Sequence, residues 1–330
     1  EDRINPYFIL NNFREELSPL EREEILNYDK IHYISSLRCK QGWATTNEDC
    51  NDSEGFYNII PGDHISYRYE ILEILGKGTY SYVVKVFDHL ENRPKAIKIM
   101  RTEVEEVAAS EERILEFMAE RGCEEYNIIQ IKDKFLFRGH PCFVFDLKLI
   151  SLYDFIEKYG VLKMDQIKRF SIQILLGLKF MRDHGVIHCD LKAENILLED
   201  DEFGGRAWIA DFGLACFVND KLHPEVQSLW CRSPEVLLQM PYDTQIDMWS
   251  FGCIVSLMFF GKYPFRGMTA KEQIKAISEI LGIIRLENQD GAPKICNYGH
   301  KSTLLALSEA LHTQDEKFLR FLDGCFEYDP

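Results

Sequence analysis

The apolar positions follow two different periods along this chain. From residue 152 onward helices dominate and the period is a helical one. Gln166 to His184 carries Ile167, Phe170, Ile174, Leu175, Leu178 and Met181 three or four residues apart, which predicts an amphipathic helix. Asp247 to Phe260 is apolar on most faces and reads as a helix buried inside a domain. Glu316 to Glu327 is helix-like again, and its Phe318, Leu319, Phe321, Leu322 and Phe326 need a cover. Before about residue 147 strand-like runs dominate, interrupted by one helical stretch near 104–119. Phe56 to Ile60 reads as a strand, Pro61-Gly62-Asp63-His64 as a turn and Ile65 to Leu75 as the next strand. A strand-rich lobe followed by a helical lobe predicts an α+β fold with a cleft between them.

The first 64 residues differ from both lobes. Ser18-Pro19-Leu20-Glu21 is a capping-box signature with Pro at the first helical position, so a short helix to about Asn27 is expected, with Leu20, Ile25 and Leu26 inward. Residues 47–54, NEDCNDSE, read as an acidic surface loop. Residues 17–75 cannot form a core alone and are expected to dock on the strand-rich lobe. The expected division is an accessory region over 1–64, an N-lobe over 65–147 and a C-lobe over 148–330.

Composition narrows the class. With 46% hydrophobic and 28% charged residues in 330, the chain reads as globular. No apolar run approaches the roughly 20 residues that span a bilayer, so no membrane partner is expected. A net charge of −16 argues against a generally basic nucleic-acid surface. The ten cysteines form no CxxC pair and no zinc set, which suggests free thiols in a reducing cytoplasm or nucleus. Residue 1 is Glu rather than Met, so the sequence reads as part of a longer chain.

The chemistry lies in motifs. Gly76-Lys77-Gly78-Thr79-Tyr80-Ser81-Tyr82-Val83 joins two strand-like runs, and such glycines let backbone amides approach phosphate closely. Alone this is a weak signal, because Gly-rich hairpins are common. Ala96-Ile97-Lys98 lies in the following strand, where a lysine can reach α/β-phosphates. The next helix offers Glu111 and Glu112 to hold that lysine. Glu111 is preferred because Leu115 then falls one turn later on the same face.

The stronger signal is His188-Cys189-Asp190-Leu191-Lys192-Ala193-Glu194-Asn195. Asp190 can accept a substrate hydroxyl's proton, and Lys192 can neutralise a transferring phosphoryl. Asn195 and the carboxylate of Asp211, in Asp211-Phe212-Gly213, form the few-carboxylate oxygen set that suits Mg2+. Ser233-Pro234-Glu235 closes the segment after Asp211, and Asp247 is expected to bond backbone amides of the catalytic loop. These elements in this order point to a protein kinase using ATP and Mg2+ on the Ser/Thr hydroxyls of protein substrates. The rival reading is a pseudokinase scaffold that binds nucleotide or partners without turnover. Lys98, Asp190, Asn195 and Asp211 argue against it.

With those motifs in hand, the chain resembles the dual-specificity tyrosine-regulated (DYRK) kinases, class II, of the larger CMGC group. His-Cys-Asp at 188–190 and Gly62-Asp63-His64-Ile65-Ser66-Tyr67-Arg68-Tyr69-Glu70, similar to the family's DH box, carry the resemblance. So do Leu17 to Tyr28 and the stretch from Phe135 through Tyr153. The resemblance implies a two-lobe kinase fold and a monomer. It also implies a gatekeeper at Phe145, a hinge at Asp146-Leu147-Lys148, and apolar adenine walls at Leu75, Val83, Ala96 and Leu198. The chain departs from the family in its activation segment. The family's Tyr-x-Tyr falls on His223-Pro224-Glu225, and one of two phosphotyrosine-binding arginines becomes Leu229 while Arg232 is kept. Glu225 is therefore expected to face Arg232 in place of a phosphotyrosine and to keep the segment constitutively ordered. The family continues past the equivalent of Pro330 into a helix whose arginine pairs with the residue matching Glu235, so this chain is expected to continue likewise.

Overall fold

The computed structural model describes the chain apart from residues 1–4, 37–43, 201–204, 221–222, 224, 283, 290–291, 298–302 and 328–330. It divides into two compact units, Glu1–Glu112 with Gln130–Leu147 and Arg113–Ile129 with Lys148–Pro330.

The first unit is built on a six-stranded antiparallel sheet in the order β1-β2-β3-β4-β6-β5. Its strands are β1 (His64–Ile65), β2 (Tyr69–Lys77), β3 (Ser81–Asp88), β4 (Arg93–Met100), β5 (Asp133–Phe137) and β6 (His140–Asp146). Ile65, Ile71, Val84, Val86, Ile97, Ile99 and Val144 fill the core of this unit. The N-terminal segment joins that core through Ala44, Cys50 and Tyr57. It also forms a second cluster, in which Ile9, Leu17, Ile25 and Ile31 surround Tyr67. The helices here are α1 (Pro6–Asn12) and α2 (Pro19–Glu24). Ser18 Oγ accepts from Glu21 N at 3.2 Å while Glu21 Oε2 accepts from Ser18 N at 2.7 Å, a complete capping box.

Three expectations fail in this unit. Leu26 is 46% exposed, because α2 tightens into a 3-10 turn at Ile25–Asn27 and rotates it off the inner face. Phe56 to Ile60 forms no strand. The one bridge there is Asn51↔Tyr57, and the segment instead lays Phe56 and Tyr57 into the core. Ile65 to Leu75 is interrupted at Ser66 and Tyr67, whose φ of 54° and 52° turn the chain. The turn stacks Tyr67 on His64 with ring centroids 4.1 Å apart, and it separates β1 from β2.

The long helix α3 (Glu105–Ala119) follows β4. The second unit is helical, with α4 (Leu152–Tyr159), α5 (Met164–Asp183), α6 (Pro234–Leu237), α7 (Gln245–Phe260), α8 (Ala270–Leu281), α9 (Thr303–Leu311) and α10 (Glu316–Cys325). Its short strands are β7 (Ile150–Ser151), β8 (Val186–Ile187), β9 (Ile196–Leu198), β10 (Ala207–Ile209) and β11 (Cys216–Phe217). β9 lies between β10 and β7, and β8 pairs with β11. A hairpin of β12 (Ile284–Gln289) and β13 (Ala292–Asn297) interrupts the helices, an element the sequence pattern did not suggest. Helix α7 is buried on nearly every face and supplies much of the cover that α10 needs. Trp249 meets Phe326 at 5.0 Å and Phe259 stacks on Phe318 at 4.5 Å. A Cβ on Gly252 would lie 2.7 Å from the Phe326 ring, so α7 must carry glycine there. Phe321 stays 38% exposed.

Candidate active site

Two residue sets carry the candidate chemistry, one in each unit. In the first, β4 presents Lys98 and α3 presents Glu111. The Lys98 ammonium donates to both Glu111 oxygens, at 2.7 and 2.8 Å. Both residues are buried. A two-point bond in a low-dielectric setting fixes the lysine's length and direction. Glu112, the other candidate, pairs instead with Lys134. Phe145 is buried and stands opposite Ala96 across the β4–β6 register. Val83 is half-buried and Leu75 is 45% exposed. Asp146 accepts from Lys95 at 2.9 Å.

The hairpin between β2 and β3 has room above it. A Cβ built on Gly76 meets nothing within 4 Å, and one on Gly78 meets only ordinary contacts at 3.7 and 3.8 Å. Neither glycine has a positive φ. Neither packing nor backbone conformation requires glycine at these two positions, and the turn has room for a phosphate. The Lys77 ammonium is engaged elsewhere, 3.3 Å from Glu54 Oε2 and over the Phe56 ring at 4.5 Å.

In the second unit β8 runs into the catalytic loop, and Asp247 on α7 anchors it. Asp247 accepts from His188 N at 2.7 Å and from Cys189 N at 3.2 Å. Burial pushes the Asp247 carboxyl up to about 6, against the pull of His188 and of the two amides. His188 Nε2 donates to the Ala210 carbonyl at 3.0 Å, so its Nδ1 accepts from Asp190 N at 3.2 Å. Cys189 sits at φ 66°, a left-handed conformation that costs a non-glycine residue energy and is held by the Asp247 bond.

Asp190 is gripped from three directions. Lys192 Nζ donates to Oδ2 at 2.7 Å, Ser228 Oγ donates to Oδ1 at 2.8 Å, and Asn195 Nδ2 donates to the Asp190 carbonyl at 2.8 Å. Burial alone would lower the Lys192 pKa. The hydrogen bond to Asp190 and the charges of Asp190, Glu194 and Asp211 outweigh it and raise the pKa. The donor end of Asn195 is turned onto Asp190, which leaves its Oδ1 for a cation. Asp211 is exposed at φ 62°, while the neighbouring Phe212 is fully buried against His188 at 4.9 Å. An amide oxygen and one exposed carboxylate fit Mg2+, which takes few protein oxygens and keeps phosphate and water for the rest. Leu198 is buried on β9.

Sequence reasoning missed Ser228 and Gln227. Gln227 Nε2 donates to the Ile246 carbonyl and to Ser250 Oγ, both at 2.8 Å, while its Oε1 accepts from Ser233 N at 3.0 Å. A buried amide with donors and acceptors on both sides is a natural cross-link. Its only sequence signal was its position just ahead of Ser233-Pro234-Glu235.

The expected Glu225–Arg232 pair is not formed. Arg232 donates through Nε and Nη2 to the Gln227 carbonyl, at 3.1 and 2.8 Å, and Glu225 is exposed. The segment's own backbone satisfies the arginine, so no carboxylate is required. Among the described residues no ion pair reaches Glu235 either, and burial raises its pKa.

Comparisons with known proteins show the family. The family model described as the protein kinase domain matches residues 69–330. The dual specificity tyrosine-phosphorylation-regulated kinase 2 of Drosophila melanogaster is 36% identical, covering 99% of this chain and 49% of that protein. The human dual specificity tyrosine-phosphorylation-regulated kinase 4 is 35% identical, covering 97% of this chain and 66% of that protein. The serine/threonine-protein kinase ppk5 of Schizosaccharomyces pombe is 35% identical, covering 95% of this chain and 41% of that protein. The chain thus spans about half the length of the curated relatives it matches. It belongs to the protein kinase family, as a divergent relative of the dual-specificity tyrosine-phosphorylation-regulated kinases.

Proposed function

We propose that the chain is an active kinase that transfers the γ-phosphate of Mg-ATP to Ser/Thr hydroxyls of protein substrates. The observation that carries this reading is the environment of Asp190. One oxygen is bonded to Lys192 and the other to Ser228, so the carboxylate is fixed in orientation beside a cation. A substrate hydroxyl arriving there is aligned for in-line attack, and Asp190 accepts its proton. Lys192 offsets negative charge on the moving phosphoryl group. Lys98, held at full length by Glu111, aligns phosphate oxygens. Bound Mg2+ neutralises phosphate charge, and Asn195 and Asp211 are the residues that would hold it. Phe145, the hinge at Asp146-Leu147-Lys148, and the walls Leu75, Val83, Ala96 and Leu198 are proposed to receive adenine.

We further propose action as a monomer, in the cytoplasm or nucleus. Among the described residues no helix is long and apolar enough to cross a membrane. The test is phosphate transfer from Mg-ATP to a mixed protein substrate, with Asp211→Ala as control. Transfer that disappears in the variant supports the proposal. Nucleotide binding without transfer leaves the scaffold reading, which the missing activation-segment tyrosines favour.

A further inference from the structure

The turn between β2 and β3 is gripped from outside by the N-terminal segment of the same unit. Residues 51–57 form a tight loop. Asp52 Oδ1 accepts from Glu54 N and Phe56 N, both at 2.9 Å, and Asp52 N donates to the Phe56 carbonyl at 2.9 Å. The loop is fastened to the end of β4 and the start of β6. Thr102 N donates to the Gly55 carbonyl at 2.9 Å, and the ring nitrogens of His140 lie 2.8 Å from Asn51 Oδ1 and 2.8 Å from the Met100 carbonyl. Gly55 sits at φ 80°, and a Cβ on it would lie 2.8 Å from Thr102 Oγ1, so the fastening requires glycine.

The two aromatic rings of the loop part there. Tyr57 meets Phe137 of the sheet core at 5.8 Å, and Phe56 is buried against Tyr82 of β3, edge to face at 5.3 Å. Tyr82 pairs with Lys77 in the β2–β3 register, and these two residues bracket Gly78-Thr79-Tyr80-Ser81. The Lys77 ammonium lies 4.5 Å from the centre of the Phe56 ring and 5.3 Å from that of Tyr82, while Glu54 Oε2 accepts from it at 3.3 Å. Arg101, next to Thr102, donates its amide to the Tyr80 carbonyl at 2.8 Å. A turn that binds phosphate through backbone amides gains most when those amides are already in place. Phe56 touches both residues at the base of the turn, so one buried ring from outside the turn sets where it stands.

Resting on the nucleotide-binding part of the kinase reading above, we propose that Phe56 is a positioning residue for ATP, acting through Tyr82 and Lys77 to hold the β2–β3 turn ready for phosphate. It serves the phosphates and not the nucleoside, because its contacts end at the turn.

The test is calorimetric binding of Mg-ATP and of adenosine to the whole chain and to Phe56→Leu, which keeps an apolar side chain in the loop and removes the ring. The variant should bind Mg-ATP about 3- to 10-fold more weakly. Its affinity for adenosine, which has no phosphate, should change by less than about twofold. In phosphate transfer the KM for ATP should rise while kcat at saturating Mg-ATP stays within about twofold. Tyr82→Leu should weaken Mg-ATP in the same way, and the double variant should lose little more than the weaker-binding single one. Unchanged Mg-ATP affinity, equal weakening of Mg-ATP and adenosine, or fully additive losses overturn the positioning role. Wild-type protein that binds Mg-ATP but transfers no phosphate overturns the kinase reading alone, and wild-type protein that binds no Mg-ATP overturns both.

Discussion

Each unit contains a buried polar network, and the two differ in what they leave over. In the strand-rich unit Glu21, Glu24, Asp63, His64 and Arg138 close on one another. His64 Nε2 lies 2.8 Å from Glu21, Asp63 accepts from Ser35 at 2.6 Å, and Arg138 donates to Glu24 at 2.5 Å and to Tyr57 at 3.1 Å. Ligand atoms of Glu21, Asp63 and His64 lie within 4.8 Å of one another, as in a metal site. The Arg138 guanidinium 3.7 Å from Glu21 opposes a second cation there. In the helical unit, Asp247 closes on backbone amides in the same way, but the loop it holds leaves Asp190 only partly buried, and Asp211 is exposed. A network whose charges all face one another stabilises a fold. One that holds charges toward open space is arranged for a ligand.

That comparison can be broken at both ends. The largest expected effect is Arg138→Met. It removes the cation shared by buried Glu21 and half-buried Glu24 and should lower stability by about 3–5 kcal/mol, read by denaturant unfolding. Turnover per folded molecule should stay within about twofold. Adding Glu24→Gln should recover part of the loss, and a double variant as unstable as the single would mean charge burial is not the cause.

Asp190→Asn should do the reverse, leaving the melting temperature and ATP affinity in place while turnover falls by about 10² or more. Undiminished turnover would remove Asp190 from its role.

Asp247→Asn tests the anchor. An amide has one acceptor oxygen, so either His188 N or Cys189 N loses its partner, and turnover should drop about tenfold. The wild-type carboxyl, raised from 3.8 to about 6, contributes stability that is present below pH 4 and lost as pH rises through 6. The variant lacks that titration. Its stability relative to wild type should therefore rise between pH 4 and 7, by roughly 1–3 kcal/mol. Parallel stability curves would contradict the raised pKa.

The smallest effect concerns α3. Arg113 donates to Asp220 at 2.7 Å and lies over the Phe217 ring at 5.0 Å, linking the helix that bears Glu111 to β11. Exposed pairs contribute only about 0–1 kcal/mol, so Arg113→Ala should reduce turnover by no more than a few-fold. The swap Arg113→Asp, Asp220→Arg should restore it. A swap no better than the single change would show that the pair does not act as a unit.

Much of this was legible in the sequence because local chemistry and global fold agreed. The α5 stripe, the capping box at Ser18 and the catalytic loop each carry their own signal within a few residues. Glu111 could be preferred over Glu112 because helical spacing fixes which side a residue faces. The failures share one cause. Gln227 reaches Ile246 across 19 residues of sequence and Ser228 reaches Asp190 across 38, and no local pattern encodes such encounters. Pairing Glu225 with Arg232 carried the resembling family's phosphotyrosine grip over to Glu225, whereas a backbone carbonyl five residues away met the arginine's need. Phe56 to Ile60 has a strand's composition, but its apolar side chains found a core without a neighbouring strand.

The span of the Arg138 contacts also bears on how the protein is made. Glu24 and Arg138 are 114 residues apart, and β5 and β6 lie on either side of Arg138. At about 5–20 residues per second, synthesis leaves the N-terminal segment outside the ribosome for several seconds or more before its partner appears. Throughout that interval Glu21 and Glu24 lack their arginine, and Tyr57 lacks the sheet it packs on. The part of this unit that is synthesised first is therefore among the last to reach its final packing.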